Sequence, residues 1–231
     1  PPLRTVVVAL DLSKAFDTVN IPLLLEQITQ TDLHPNLVRW LSTYLRGRSA
    51  ACVYQGVTSA FRNIHAGVPQ GSVLSPALFN FFVSDCPDTL GLKVLYADDL
   101  NAAATGLDLK VIEANLNLDM AAISAWARRK KLTISPGKSM VTLFTSNTKE
   151  FNIHPQVFFE GALIPLEKRP KYLGIIHDTL HTMGPNAKYA LSRIPAKAKV
   201  VKAITGPDWG LQLEDALLTY KATIQPVFTY G

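Results

Sequence analysis

Leu92-Lys93-Val94-Leu95-Tyr96-Ala97-Asp98-Asp99-Leu100-Asn101-Ala102-Ala103-Ala104 is the stretch whose reading decides the fold. An apolar run, Lys93 to Tyr96, and a lighter one, Leu100 to Ala104, flank an acidic pair. This pattern predicts strand, tight turn, strand, with both acids at the hairpin tip. Carboxylates held on a rigid turn suit a magnesium site for phosphoryl transfer. Hard oxygen ligands hold the ion, and two ions clamp the attacking and leaving oxygens of an in-line displacement. Adjacent aspartates also mark ordinary surface turns, where their side chains bond the local backbone. The pair alone fits either reading.

A third carboxylate stands in a related setting. Thr5-Val6-Val7-Val8-Ala9-Leu10 is continuously apolar and β-branched, as expected of a strand buried on both faces. Asp11 follows it directly. An acid at the end of a buried strand is costly unless charged partners or metals satisfy it. It reads alternatively as the cap of a helix starting near Ser13. If the two strands pair, Asp11, Asp98 and Asp99 meet at adjacent strand ends as a metal site.

Five segments in order carry a family resemblance. Asp11-Leu12-Ser13-Lys14-Ala15-Phe16-Asp17 resembles motif A of reverse transcriptases, Gly67-Val68-Pro69-Gln70-Gly71-Ser72-Val73-Leu74-Ser75-Pro76 motif B, and Tyr96-Ala97-Asp98-Asp99 motif C. Leu132-Thr133-Ile134-Ser135-Pro136-Gly137-Lys138 resembles motif D, and Tyr172-Leu173-Gly174 motif E. The terminal Tyr220-Lys221-Ala222, Pro226-Val227 and Tyr230-Gly231 are similar to the segment that follows in the non-LTR (LINE-like) retrotransposon group.

The resemblance implies an α+β polymerase palm, a small antiparallel sheet backed by helices, over residues 1–178. A mostly helical thumb or connection segment, expected to be truncated, follows over residues 179–231. It implies two Mg²⁺ ions, with Mn²⁺ as a substitute, held by Asp11 and Asp98 with Asp99 in support. The backbone carbonyl of Leu12 completes the nucleotide side. Phe16 takes the place of the steric gate against a ribose 2′ hydroxyl, and its bland reading is a core phenylalanine. Asp17 is expected to cap locally or pair with a nearby basic group. Gln70 and Gly71 are expected at the incoming nucleotide, Lys138 as proton donor to pyrophosphate, and Tyr172, Leu173 and Gly174 as primer grip. Ser135 and Ser139 depart from the family's asparagine and threonine, and His177 and Asn186 from its usual aromatic and histidine.

The implied partners are an RNA template, a DNA primer, dNTPs and other domains of a parent polyprotein, with an endonuclease upstream. The implied setting is intracellular, in nucleus and cytoplasm. A fingers region is expected to be missing before Asp11, so that the segment alone polymerises weakly. Two other readings stay open: a catalytically dead nucleic-acid-binding remnant, and a group II intron maturase-type reverse transcriptase.

Composition fits a globular chain. It has 231 residues, 48% hydrophobic, and no apolar run of membrane-spanning length. Cys52 and Cys86 lack metal-ligand spacing and read as small core residues of a reducing compartment. The net charge of +5 is uneven. Residues 1–100 hold seven Lys/Arg against eight Asp/Glu, whereas Lys168 to Lys202 hold eight bases and one acid. That basic half suits a polyanion, or is a solvated helix face.

The periodicities predict helices near 21–30, 36–46, 76–84, 108–131, 187–204 and 211–225. The long helix carries Leu109, Ile112, Leu116, Met120, Ile123 and Ala127 on one face and ends at Arg128-Arg129-Lys130-Lys131, where cations are favoured. Residues 50–66 read as a hairpin about Gly56. Single strands are expected near 139–145, 156–165 and 171–176, and Gly206-Pro207 separates the last two helices.

Overall fold

The apolar run after Thr5 becomes strand β1 (Arg4–Leu12) in the structure, a computed structural model that describes residues 2–206 and 209–230. Pro207 and Gly231, singled out above, lie outside the described residues. Val6, Val8, Leu10 and Leu12 are buried, while Val7, Ala9 and Asp11 between them are only half-buried. The expectation of burial on both faces is therefore corrected: the strand has one core face and one partly open face. Asp11 lies on the open face, which relieves the cost of its charge.

In chain order the elements that follow are α1 (Ala15–Thr18), α2 (Ile21–Thr29), α3 (Pro35–Leu45), β2 (Ser49–Ala50), β3 (Val53–Tyr54), β4 (Val57–Thr58), β5 (Arg62–Asn63), α4 (Ser75–Val83), β6 (Leu92–Tyr96), β7 (Asp99–Gly106), α5 (Leu109–Lys130), β8 (Ile134–Thr145), β9 (Phe158–Phe159), β10 (Ala162–Leu163), β11 (Lys171–Tyr172), β12 (Ile175–Ile176), α6 (Gly184–Ala203), α7 (Leu213–Thr223) and α8 (Gln225–Thr229). The main sheet has four strands in the order β6-β7-β1-β8. The described residues pack as two compact units.

The larger unit comprises Thr5–Val141 and Pro155–Leu166. The predicted stripe on α5 is core: Ile112, Leu116, Met120, Ile123 and Ala127 are buried, while Leu109 is half-buried. Trp126 is fully buried beside them and donates its indole N–H to Asp85 at 3.0 Å. Truncating such a side chain costs about 3–5 kcal/mol. Asp108 caps the start of α5 by accepting from the Lys110 amide at 2.9 Å. Lys131 ends it in the left-handed conformation, after Arg128, Arg129 and Lys130 in the last turn.

Residues 49–63 form the expected hairpin, β2 with β5 and β3 with β4, turning at Gln55-Gly56. Residues 156–165 hold a second hairpin, β9 with β10, instead of one strand. Cys86 is buried as expected, but Cys52 is exposed on the first hairpin.

The second unit comprises Pro1–Arg4, Thr142–His154 and Glu167–Gly231. Arg4 holds Glu150 through two short bonds, 2.9 and 2.6 Å, and Thr145 and Asn147 also donate to this carboxylate. The Arg4 guanidinium bond leads these in holding the Glu150 carboxyl down at about 2. The expected strand at 171–176 is a hairpin, β11 with β12, because Leu173 and Gly174 both adopt positive φ and reverse the chain. Helices α6 and α7 bury no residue completely. No helix among the described residues is long and apolar enough to cross a membrane.

Candidate active site

Strands β6 and β7 pair antiparallel with Tyr96 opposite Asp99, so Ala97 and Asp98 form a two-residue loop. Ala97 takes positive φ, as the first residue of a tight hairpin turn does in some turn types. Asp98 and Asp99 are exposed at this tip, as the sequence predicts.

The Thr5 and Thr105 hydroxyls lie 2.9 Å apart across β1 and β7. Six residues along β1 from Thr5 is Asp11, and six residues back along β7 from Thr105 is Asp99. Even steps stay on one face, so on these neighbouring strands Asp11 and Asp99 share the face of the Thr5–Thr105 contact. The electrostatics agree. Asp99 is held above the ordinary carboxylate range by partial burial, then by the charge of Asp98, then by that of Asp11. Asp11 caps no helix; it is a strand residue, and α1 begins after Lys14 with no side-chain cap.

Asp99 thus feels the charge of the other two acids. Among the described residues no group of three or more His, Cys, Asp and Glu side chains is gathered closely enough to hold a metal ion. The donors are hard oxygens with an excess of negative charge that raises one of their own number. That chemistry fits a divalent cation. Leu12, the last residue of β1, has a buried side chain.

Motif A and motif B are clasped together. The Gly67 amide donates to Val19 O at 2.8 Å and the Val68 amide to Phe16 O at 2.9 Å. The Gln70 side-chain amide donates to Asp17 Oδ1 at 2.9 Å. Asp17 therefore holds the residue expected at the nucleotide. Ser75 closes the loop onto Pro69 O, and the Ser72 and Tyr44 hydroxyls meet at 2.6 Å. Gly71 is exposed at the loop crest.

Phe16 is half-buried and stacks on the fully buried Phe79, with ring centroids 4.5 Å apart. Its ring also lines a cleft of about 500 Å³ with Asn80, Lys93, Tyr96 and Ala97. One face of Phe16 packs on Phe79, and the side chain opens on a cleft beside the acidic turn.

Lys138 is exposed in the Ser135–Ser139 segment of β8. Ser139, noted in the sequence only as a departure from the family pattern, is buried. Its hydroxyl accepts from the Asp11 amide at 3.2 Å and donates to Ser135 O at 2.7 Å.

Tyr172, Leu173 and Gly174 belong to the second unit. Burial leads in pushing the Tyr172 hydroxyl up to about 12. The Tyr230 hydroxyl donates to Leu173 O, and its ring lies against Gly174. The two segments the sequence marked separately, at 172–174 and at Tyr230, are therefore one contact. Asn186 accepts from the Ile176 amide at 3.1 Å, bracing β12. His177 lies among Phe144, Tyr172 and His181, and burial leads in lowering its basicity. On the face of α6, Lys171 and Arg193 both sit over the Tyr189 ring.

Comparison with known proteins places these features in a family. The family model for reverse transcriptase (RNA-dependent DNA polymerase) matches residues 2–177. The chain is 31% identical to a probable RNA-directed DNA polymerase from transposon X-element of Drosophila melanogaster, over 96% of the chain and 25% of that protein. It is 28% identical to the RNA-directed DNA polymerase from mobile element jockey of Drosophila funebris, over 96% of the chain and 25% of that protein. It is 27% identical to a retrovirus-related Pol polyprotein from type-1 retrotransposable element R2 of Popillia japonica, over 81% of the chain and 33% of that protein. The chain spans about a quarter of the length of the first two. With a family match over residues 2–177, the chain belongs to the reverse transcriptase family and is homologous to the RNA-directed DNA polymerases of non-LTR retrotransposons.

Proposed function

We propose that this chain is the palm and the start of the thumb of an RNA-directed DNA polymerase, part of a non-LTR retrotransposon polyprotein. The palm spans residues 1–178 and the thumb segment 179–231. The observation that carries the reading is that Asp99, on the β6–β7 turn beside Asp98, feels the charges of both Asp98 and Asp11, the last on the neighbouring strand β1.

Asp11 and Asp98, with Asp99 in support and the Leu12 carbonyl, are the residues that would hold Mg²⁺, or Mn²⁺ in its place. When bound, the ions supply charge neutralisation at the transferring phosphoryl group and a more acidic primer hydroxyl. The chain's own residues position the rest. Phe16, backed by Phe79, presents a flat wall where a 2′ hydroxyl would lie. Gln70, tethered to Asp17, and the Gly71 backbone take the nucleotide and template side. Lys138 would give a proton to departing pyrophosphate. Tyr172, Leu173 and Gly174 support the primer end. The partners are an RNA template, a DNA primer, dNTPs and other domains of the polyprotein, in nucleus and cytoplasm.

Primer extension on an RNA template with Mg²⁺ and dNTPs tests the reading. The chain is assayed alone and joined to a fingers region from one of its relatives. Extension by the fusion that disappears in Asp98→Ala/Asp99→Ala supports the reading. RNA binding without extension, indifferent to both substitutions, favours a dead binding remnant.

A further inference from the structure

We propose that Ser139 is a positioning residue for the metal-binding end of β1, acting through the backbone of Asp11; this rests on the proposed metal role of Asp11. Strands β1 and β8 are neighbours, and a side chain joins their bonding at the end that carries Asp11. The Ser13 amide bonds Thr133 O at 2.9 Å, a backbone bond of ordinary kind. Two residues earlier, the Asp11 amide donates to a side chain, the Ser139 hydroxyl at 3.2 Å. The same hydroxyl donates to Ser135 O at 2.7 Å.

Residues 135–138 include Pro136, which has no amide hydrogen, and Gly137, which has no side chain to pack, so this part of the strand is intrinsically weak. Ser139 is 2% exposed, so water does not compete for its hydroxyl. One hydroxyl therefore makes two bonds. It fixes the backbone that carries the Asp11 carboxylate, and it closes the Ser135–Ser139 segment that carries Lys138. A threonine retains that hydroxyl; an alanine takes a partner from the Asp11 amide and from Ser135 O.

A supporting group behind a ligand tunes metal affinity without touching the metal. The test uses the 231-residue chain and Mn²⁺ as the probe, with free Mn²⁺ read by electron paramagnetic resonance, so it does not depend on polymerase activity. Ser139→Ala is expected to weaken Mn²⁺ binding about tenfold, and Ser139→Thr to restore it. Asp98→Ala/Asp99→Ala is the reference for loss of the site. If Ser139→Ala binds Mn²⁺ as the unsubstituted chain does while the acid variant loses it, the positioning role is refuted and the metal reading stands. If the acid variant also binds unchanged, the metal reading falls and the positioning role with it. Should Ser139→Ala fail to fold, amide exchange in the unsubstituted chain decides. A slowly exchanging Asp11 amide supports the latch, and one exchanging as fast as the exposed turn at Asp98 overturns it.

Discussion

Replacing Gly67 with alanine should be markedly worse than replacing Gly71, although both glycines sit in one loop with nearly the same backbone angle. Their φ values are +84° and +83°. Forcing a side chain into that conformation costs about 1–2 kcal/mol at either position, offset by about 0.4–1 kcal/mol from the stiffer unfolded chain. The surroundings differ. A Cβ on Gly71 meets nothing within 4 Å. A Cβ on Gly67 would lie 2.7 Å from Asp17 O and 2.9 Å from Asp17 C and Cα, all backbone atoms that no rotamer change can move. Relieving such overpacking adds about 1–3 kcal/mol.

The expected losses are therefore about 1 kcal/mol for Gly71→Ala and about 2–4 kcal/mol for Gly67→Ala. Urea denaturation measures both, with the midpoint falling at an unchanged slope. Melting should follow, at about 2–4 °C per kcal/mol for a chain of this size. Equal losses at the two positions would refute the claim that motif B is pressed directly onto the motif A backbone.

Other substitutions probe the remaining contacts. The carboxyl of Glu150, 8% exposed in its side chain, is held at about 2. A depressed carboxyl stabilises the fold above its unfolded value near 4.5 and loses that stability as pH falls toward 2, so acid melts should show up to about 3 kcal/mol lost in that window, and Arg4→Met should reduce this dependence, leaving the part due to Thr145 and Asn147. Asp99 has the opposite sign. Raised by burial, Asp98 and Asp11, it favours the fold when protonated and opposes it as pH rises through and just above the ordinary carboxylate range. Asp99→Asn should accordingly raise the melting temperature at neutral pH without metal and weaken stabilisation by Mg²⁺. Tyr230→Phe removes the donor to Leu173 O and should cost about 1 kcal/mol, read from the melting curve.

Much of this was legible in the residues because it rests on local periodicity. The α5 stripe, the β6–β7 hairpin and the Gln55-Gly56 turn each follow from spacing or from turn chemistry within a few positions. What stayed hidden depends on partners far along the chain. Gln70 and Asp17 are 53 positions apart and Asp11 and Ser139 are 128 apart, and no local signal announces a side-chain bond over such a span. The β11–β12 reversal was missed for another reason: Leu173 takes positive φ, which a branched aliphatic residue rarely adopts, so the segment reads as continuous strand. Two-residue strands such as β9 and β10 are too short to show alternation at all. Asp17 illustrates both halves. Its place beside motif A is plain in the sequence, and its use as the anchor of Gln70 is not.

The most direct test of the central claim, that Asp11, Asp98 and Asp99 serve one metal site, is backbone cleavage by bound iron. Fe²⁺ substituted for Mg²⁺ generates hydroxyl radicals in the presence of ascorbate and peroxide, and these cut the chain beside the ion. The account predicts two clusters of cuts, one around Asp11 and one around Asp98 and Asp99, both suppressed by excess Mg²⁺ and both absent from Asp98→Ala/Asp99→Ala. Cuts at only one of these segments, or a pattern that survives the double substitution, would contradict it.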